Sequence, residues 1–587
     1  MLATSSHVLS FLAVVHVATA KTRTWCTPGS ACFPSSAQLT AFNATVGGRL
    51  IKTIPYAAVC YDGPYYNATA CESLVSNQTQ AGFRHEIPNA MMFNNWEFGE
   101  NGLSGEVGCL APSTVPTAPL NGTCELGAQA PFVVNATSAA IVQASVKFAR
   151  KYNLRLRVKN TGHCYTGRSA APGSFTIWTH YLKDTAFIPS FVANECTGNG
   201  EPVFSAGTGV QVQELYDAAE RSNVTAIGGF TPRRVTTVCV GALGGYILGG
   251  GIGPMSNKYG LGVDSTSVDL ARHPVLTNSR CRQYEVVTTD GEIRIANACQ
   301  NADLFWALRG GGGAFGVTTH VWLKAHPPFV GVNAVTGYIR ANDTDTYSKI
   351  VETLVEKVGP SMINAGLPGI WQSRKSALLA FFDQGETVVP AQETYDRMSD
   401  LWSIPGATFQ VSAKSHSSWN QAYKQTIAPI ILTGAVVGIN LLDFSRVVSN
   451  TTIMTEEGRK GITDYIVNLP GDIPFIYQVN AGGAVNQVGP EEFVQTAIHP
   501  AWRDSQVFGP SGGATAEQEA TVAEVRDGAT KAFGPAAYYN ENIPGEDSWQ
   551  DAYFGSNYPR LLALKKKWDP TGALTCRECV GSDVFGF

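Results

Sequence analysis

The chain has 587 residues, enough to bury a large core and to hold two or more structural units. Charged residues are 15% and hydrophobic ones 44%, which marks a globular protein and excludes a disordered one. A formal net charge of -5 leaves no basic footprint for nucleic acid and no polybasic patch for a membrane.

Residues 1–20 read as a secretory signal peptide. Val8 to Val17 is mostly apolar, and Ala18-Thr19-Ala20 is a small-x-small cleavage site. No later segment stays apolar for ~20 residues, so no membrane anchor is expected. Thirteen cysteines agree with a secreted, extracellular protein. Six of them (Cys26, Cys32, Cys60, Cys71, Cys109 and Cys124) lie in a Cys-rich N-terminal segment, 21–125, that is expected to be irregular. Their pairing is not readable from sequence. The odd total leaves at least one thiol unpaired or covalently engaged. Eight N-x-S/T sequons, starting at Asn43, Asn67, Asn77, Asn121, Asn135, Asn223, Asn342 and Asn450, add to the reading of a secreted glycoprotein.

The texture changes at Pro131. Apolar spacing at Ile141, Val142, Val146, Phe148 and Ala149 predicts a helix over 136–151, capped by Asn135 or Thr137. Strands are expected at 154–158, 175–178 and 203–206, a helix at 211–221, and strands again at 284–287 and 317–323. Over 330–530, long helical stretches alternate with strands such as 376–382 and 434–442. This predicts a sheet backed by helices. The mixture indicates an α+β fold.

Two glycine-dense turns interrupt this pattern. Asn160-Thr161-Gly162-His163 follows the strand at 154–158, and Gly167-Arg168-Ser169 comes just after. The second turn holds Gly244, Gly245, Gly249, Gly250, Gly251 and Ile252. Glycine lets backbone N–H groups approach a ligand closely, so the pair reads as two cradles for one large anionic ligand. Gly311-x-Gly313-x-x-Gly316 matches the dinucleotide fingerprint formally. The run after it is β-branched rather than helical, which argues against a nicotinamide site. Asp303 to Arg309 reads as a short helix leading into that turn. Tyr538 and Asn540 stand two apart on an expected strand, so they point to one face. Cys576-x-x-Cys579 reads as structural. His273, His320 and His499 show no metal spacing, and no metal is expected. His-Glu-x-x-His and Gly-x-Ser-x-Gly are both absent, so zinc proteolysis and esterase chemistry have no support.

The run VKNTGHCYTGRSAAPGSFTIWTH resembles the flavin-attachment loop of the vanillyl-alcohol-oxidase and berberine-bridge-enzyme flavoproteins, in their secreted fungal branch. GGYILGGGIGPMSNKYGLGVD, NADLFWALRGGGGAFGVTTHVWLKAHP and YFGSNYPRLLALKKKWDP are similar to further blocks of that family, in the same order. The resemblance implies a two-subdomain PCMH-type FAD-binding domain at 126–328 and an inserted substrate domain at 329–530. It also implies a C-terminal segment, 531–587, that rejoins the first. It implies FAD as cofactor, held by the two glycine turns and bonded covalently through His163. Cys164 stands where the family usually has Asp. Cys239 lies ten residues before Gly249, one short of the spacing in the subgroup with a second, cysteinyl link. A link through Cys239 is therefore not expected. Residues 268–282, with Pro274 and three arginines, intervene where the family passes directly into a strand. They read as a translated intron or a surface loop.

Together these features point to a secreted FAD-dependent oxidase. Its substrate would be a small alcohol, sugar, amine or secondary metabolite, and molecular oxygen would be reduced to hydrogen peroxide. Tyr538 and Asn540 are the catalytic candidates, with Tyr538 assisting removal of a hydroxyl proton if its pKa is lowered. A catalytic base within 330–530 is not nameable from sequence. The alternatives are a dehydrogenase or cyclase with poor oxygen reactivity, a pseudo-enzyme, and a non-flavin carbohydrate-binding or carbohydrate-cleaving protein.

Overall fold

Three sheets build the molecule in the computed structural model, which describes residues 24–99, 108–230, 233–234, 237–238, 241–266, 282–373, 376–385, 391–431, 437–470, 473–487, 496–514 and 519–586. The signal segment at 1–20, Cys239, and the intervening segment apart from Arg282 lie outside the described residues.

The first sheet holds β1 (Leu50–Lys52), β2 (Phe132–Asn135), β3 (Leu156–Lys159) and β4 (Phe175–Trp178), in the order β1-β2-β4-β3. β2 and β3 both run parallel to β4. Helix Ala139–Lys151 makes the crossover and buries Val142, Val146, Phe148 and Ala149. Its N-cap is Ser138, whose hydroxyl accepts from the Ile141 N–H, rather than Asn135 or Thr137. Phe148 stacks on Phe42 with ring centroids 4.1 Å apart. The N-terminal segment thus supplies part of this core. It also carries helices at Ser36–Thr45, Ala68–Asn77, Ala81–His85 and Asn95–Phe98, so it is less irregular than its composition suggests. Its six cysteines pair with near neighbours, Cys26 with Cys32, Cys60 with Cys71 and Cys109 with Cys124.

The second sheet comprises β5 (Thr185–Phe191), β6 (Glu201–Gly207), β9 (Tyr284–Val287), β10 (Ile293–Ala296) and β11 (Val317–Lys324), in the order β10-β9-β11-β6-β5. A small pair, β7 (Arg233–Arg234) and β8 (Thr237–Val238), precedes the second glycine turn. Helix Val212–Arg221 is fixed by a capping box between Gln211 and Glu214. Cys196 and Cys299 form a disulfide across the sheet's end.

The third sheet has seven strands: β12 (Gly331–Ala341), β13 (Gly369–Ser373), β14 (Ser376–Gly385), β15 (Ala407–His416), β16 (Leu442–Ser449), β17 (Phe475–Val479) and β18 (Ser505–Ala514). Their order is β15-β12-β14-β13-β17-β18-β16. Of the strand expected at 434–442, the described residues 437–441 lie outside the named strands and β16 begins at Leu442. Alternation along these strands decides how the halves join. Ala334, Val447 and Phe508 enter the core shared with the glycine turns. Their neighbours Val335, Val448 and Val507 enter a second core, against helices Thr344–Thr353, Glu456–Val467 and Glu519–Phe533. This is the sheet backed by helices that the sequence predicts.

The tail returns to the first half. Lys565, fully buried on helix Tyr558–Trp568, donates to the Ala314 carbonyl at 2.7 Å and pairs with Asp569 at 2.7 Å. Arg157 on β3 donates to the Thr575 carbonyl at 2.6 Å.

Candidate active site

A large cavity lies where the three sheets and the tail meet. It holds about 1570 Å³ of space between its walls, part of it open to solvent. Asn160, Thr161, Gly162, His163, Arg168 and Ser169 line it from the first turn, and Gly244, Gly245 and Ile252 from the second. The structure thus brings together two stretches that are about eighty residues apart in sequence.

The remaining predicted glycines stand behind this surface and shape it. Gly167 has φ +68°, and a Cβ there would meet the Trp96 ring at 2.5 Å. Gly250 and Gly251 have φ of +125° and +81°. Gly249 sits so close to Asn540 that a Cβ would lie 2.2 Å from its amide oxygen. By contrast, a Cβ on Gly245 or Gly313 would meet nothing within 4 Å, because both face open space. Gly312, Gly313 and Gly316 are thus a third lining turn that motif reasoning set aside. The helix Ala302–Leu308 before it and the strand β11 after it are as the sequence predicts.

His163 packs edge-on against Phe93 and Tyr165, with ring centroids at 5.3 and 5.0 Å, and those two rings stack on each other at 4.9 Å. Burial lowers its pKa to about 4, so the imidazole is neutral across the physiological range. Cys164 serves its own turn. Its sulfur accepts the Arg168 N–H at 3.1 Å and so closes the turn. Arg168 in turn lies over the Tyr539 ring, 3.8 Å from its centroid, and donates to the Tyr539 and Arg577 carbonyls at 2.6 and 3.1 Å. Tyr539 Oη lies 3.3 Å from Cys579, which is disulfide-bonded to Cys576.

The opposite wall corrects the expectation for Tyr538. Residues 538–541 form a turn, with the Glu541 N–H donating to the Tyr538 carbonyl at 3.2 Å, and not a strand. Tyr538 is 2% exposed and does not line the cavity. Its hydroxyl accepts from the Gly251 N–H at 3.1 Å and from Asn540 Nδ2 at 2.8 Å. Burial, and then the charge of Glu541, push its pKa upward, the reverse of what a proton acceptor needs. Asn540 does reach the cavity, and its amide also donates to the Tyr246 carbonyl at 3.2 Å.

The residue that sequence reasoning missed is Glu541. It lines the cavity beside Asn540, with Gln478 of β17 also on this wall. Burial raises its pKa to about 7. Asp443 on β16 is buried, and burial followed by the Glu541 charge raises its pKa well above the usual carboxylate range. No spacing rule marks Glu541. Its neighbour Asn540 was the only signal available.

Four buried polar atoms of lining residues have no hydrogen-bond partner among the described residues: Asn160 Oδ1, Arg168 Nη2, Tyr246 Oη and Thr318 Oγ1. Buried polar atoms of this kind call for a bound polar partner. Open glycine faces, an arginine and unmatched donors suit an extended, anionic dinucleotide. The FAD binding domain profile matches residues 130–267, and the profile described as berberine and berberine like matches 537–578. An FAD-linked oxidoreductase of Trichophyton verrucosum, easE, is 32% identical over 95% of this chain and 90% of its own. The chain belongs to the berberine-bridge-like FAD-linked oxidoreductases. The VAO-type flavoprotein oxidase VAO615 of Thermothelomyces thermophilus is 29% identical over 95% of this chain and 92% of its own. The crystal structure of the VAO-type flavoprotein MtVAO713 from Myceliophthora thermophila C1 is 25% identical. It superposes with a TM-score of 0.78 over 96% of this chain and 98% of that one. As a berberine-bridge-like oxidoreductase, the protein is an enzyme with FAD as cofactor.

Proposed function

We propose that this protein is a secreted oxidase with FAD tethered at His163 and a proton acceptor at Glu541. The observation that carries this reading is their convergence on one cavity, a neutral imidazole on the glycine-turn wall and a carboxyl poised near neutrality on the other. When bound, FAD accepts a hydride from a C–H bond beside oxygen or nitrogen and hands the electrons to molecular oxygen, giving hydrogen peroxide. The turns at 160–169 and 244–252 would hold the cofactor's diphosphate. Arg168 adds its guanidinium to the same side.

Glu541 removes the proton from the substrate's hydroxyl or amine, and Asn540 and Gln478 orient that group. Asp443, kept protonated, spares Glu541 a second negative charge nearby. Tyr538 is a positioning residue that fixes Asn540 against Gly251. The FAD-binding part is assigned to 126–328 with 531–587, and the substrate part to 329–530. Five disulfides among the described residues support an extracellular setting, and no described helix is long and apolar enough to cross a membrane.

The purified protein tests this directly. It should be yellow, keep its colour in the pellet on acid precipitation, and release peroxide on turnover of small alcohols, sugars or amines. A colourless supernatant supports the tether. A fully yellow supernatant refutes the tether, and turnover without peroxide refutes the oxidase.

A further inference from the structure

The fold assembles a cluster that no spacing in the sequence reveals. His85 ends the helix Ala81–His85, Glu86 follows it, and His180 lies just beyond β4. The two histidines are 3% and 1% exposed, while Glu86 stands at the surface. His85 Nε2 is 3.3 Å and His180 Nε2 is 3.4 Å from the same atom, Glu86 Oε1. All three donor atoms lie within 4.8 Å of one another. In a tetrahedral site with bonds of about 2.0–2.1 Å, adjacent ligand atoms sit roughly 3.4 Å apart. The two histidine–glutamate separations have that value.

The surroundings hold the donors in place. Gln211, the N-cap of helix Val212–Arg221, lies with its amide nitrogen 3.2 Å from His85 Nδ1. An amide rotated about its last bond would accept from that nitrogen, as the outer partner of a ligating histidine does. The Tyr181 hydroxyl donates to the second oxygen of Glu86. Two lysines act on His180 electrostatically, and both are engaged elsewhere. Lys183 pairs with Glu214 at 2.7 Å, and Lys159 donates to the Ile87 carbonyl at 3.0 Å.

We propose that His85, Glu86 and His180 bind one zinc-class divalent transition-metal ion, with water in the fourth position. Two imidazoles favour such an ion over calcium or magnesium. The ion would staple the N-terminal segment to the cavity's outer wall, since Thr179, next to His180, lines that cavity. The same three groups can also share hydrogen bonds without an ion, so saturable metal uptake is what separates the two states.

The test uses the full-length, flavin-loaded protein after chelator treatment, titrated calorimetrically with zinc chloride. One zinc per chain is expected, with a zinc-dependent rise in melting temperature and no response to magnesium or calcium. Glu86→Gln changes an exposed side chain and should fold, with zinc affinity reduced at least tenfold. His180→Ala should abolish uptake. X-ray absorption on the loaded protein should show nitrogen and oxygen donors with two imidazoles. Flavin absorbance reports that each variant is folded. No saturable zinc binding in the wild type would overturn the proposal, as would unchanged affinity in Glu86→Gln.

Discussion

The two walls of the cavity are built on different principles. The glycine-turn wall works through backbone, where positive φ at Gly162, Gly167, Gly250 and Gly251 sets the path of the turns. The opposite wall works through side chains, chiefly Asn540, Glu541 and Gln478, brought in by a turn of the tail and a strand of the third sheet. Damage to the first wall should therefore remove the cofactor. Damage to the second should leave the cofactor in place and remove the chemistry.

The largest effect is expected from Gly167→Val. A left-handed backbone costs a β-branched residue about 1–2 kcal/mol, and the new side chain must displace the Trp96 ring. The purified variant should contain little or no flavin by its visible absorbance. Full flavin content would break the contrast between the walls.

Glu541→Gln comes next. Flavin content should stay at the wild-type level while kcat falls by roughly 10²–10⁴-fold. In the wild type, kcat/KM should decline as pH drops below about 7, because protonation removes the acceptor. The variant should lack that limb. The same residue predicts a stability signature. Its pKa in the folded chain lies above the ordinary carboxylate value, so the proton stabilises the folded form. That contribution is complete below the unfolded value and is lost as pH rises through about 7. In flavin-free protein, Glu541→Gln should raise the melting temperature above neutrality and leave it nearly unchanged in acid. A flat pH–rate profile in the wild type would remove Glu541 from the mechanism.

His163→Ala should have a smaller effect. Flavin should still bind but become extractable by acid, with a lower reduction potential and slower turnover. Retained covalent flavin would place the tether on another residue.

The smallest effect is expected at Cys164. Its sulfur caps the Arg168 N–H, and a serine hydroxyl can accept the same bond. Cys164→Ser should keep flavin content and activity close to wild type. Cys164→Ala should cost about 1 kcal/mol of stability, read as a lowered denaturation midpoint. A large activity loss in Cys164→Ser would show that this position serves the histidine directly.

Features set by neighbours in the chain were open to sequence reading. The periodicity of 136–151 and 211–221 predicts helices that the structure places at 139–151 and 212–221, and the β-branched run at 317–323 predicts a strand, found at 317–324, where a dinucleotide motif would need a helix. The glycine turns were visible because glycine is the residue that tolerates positive φ, wherever the chain goes afterwards. Tyr538 and Asn540 were misread as a strand because a short Tyr-Tyr-Asn run has β propensity, and the turn there is held by distant partners. Ser445 Oγ accepts the Tyr538 N–H at 3.1 Å across 93 residues, and it donates to the Glu541 carbonyl at 2.7 Å.

By itself, then, the sequence determined the α+β class, the two glycine-dense turns and the histidine within the first of them, all of which follow from local conformation and ordered motifs. Only the tertiary structure decided that Tyr538 turns away, that Glu541 faces the cavity, and that His85 and Glu86 meet His180, 94 residues beyond Glu86. The physical reason is that a side chain's protonation and partners depend on what encloses it. For Glu541 the enclosure comes from strands and turns far away in the chain.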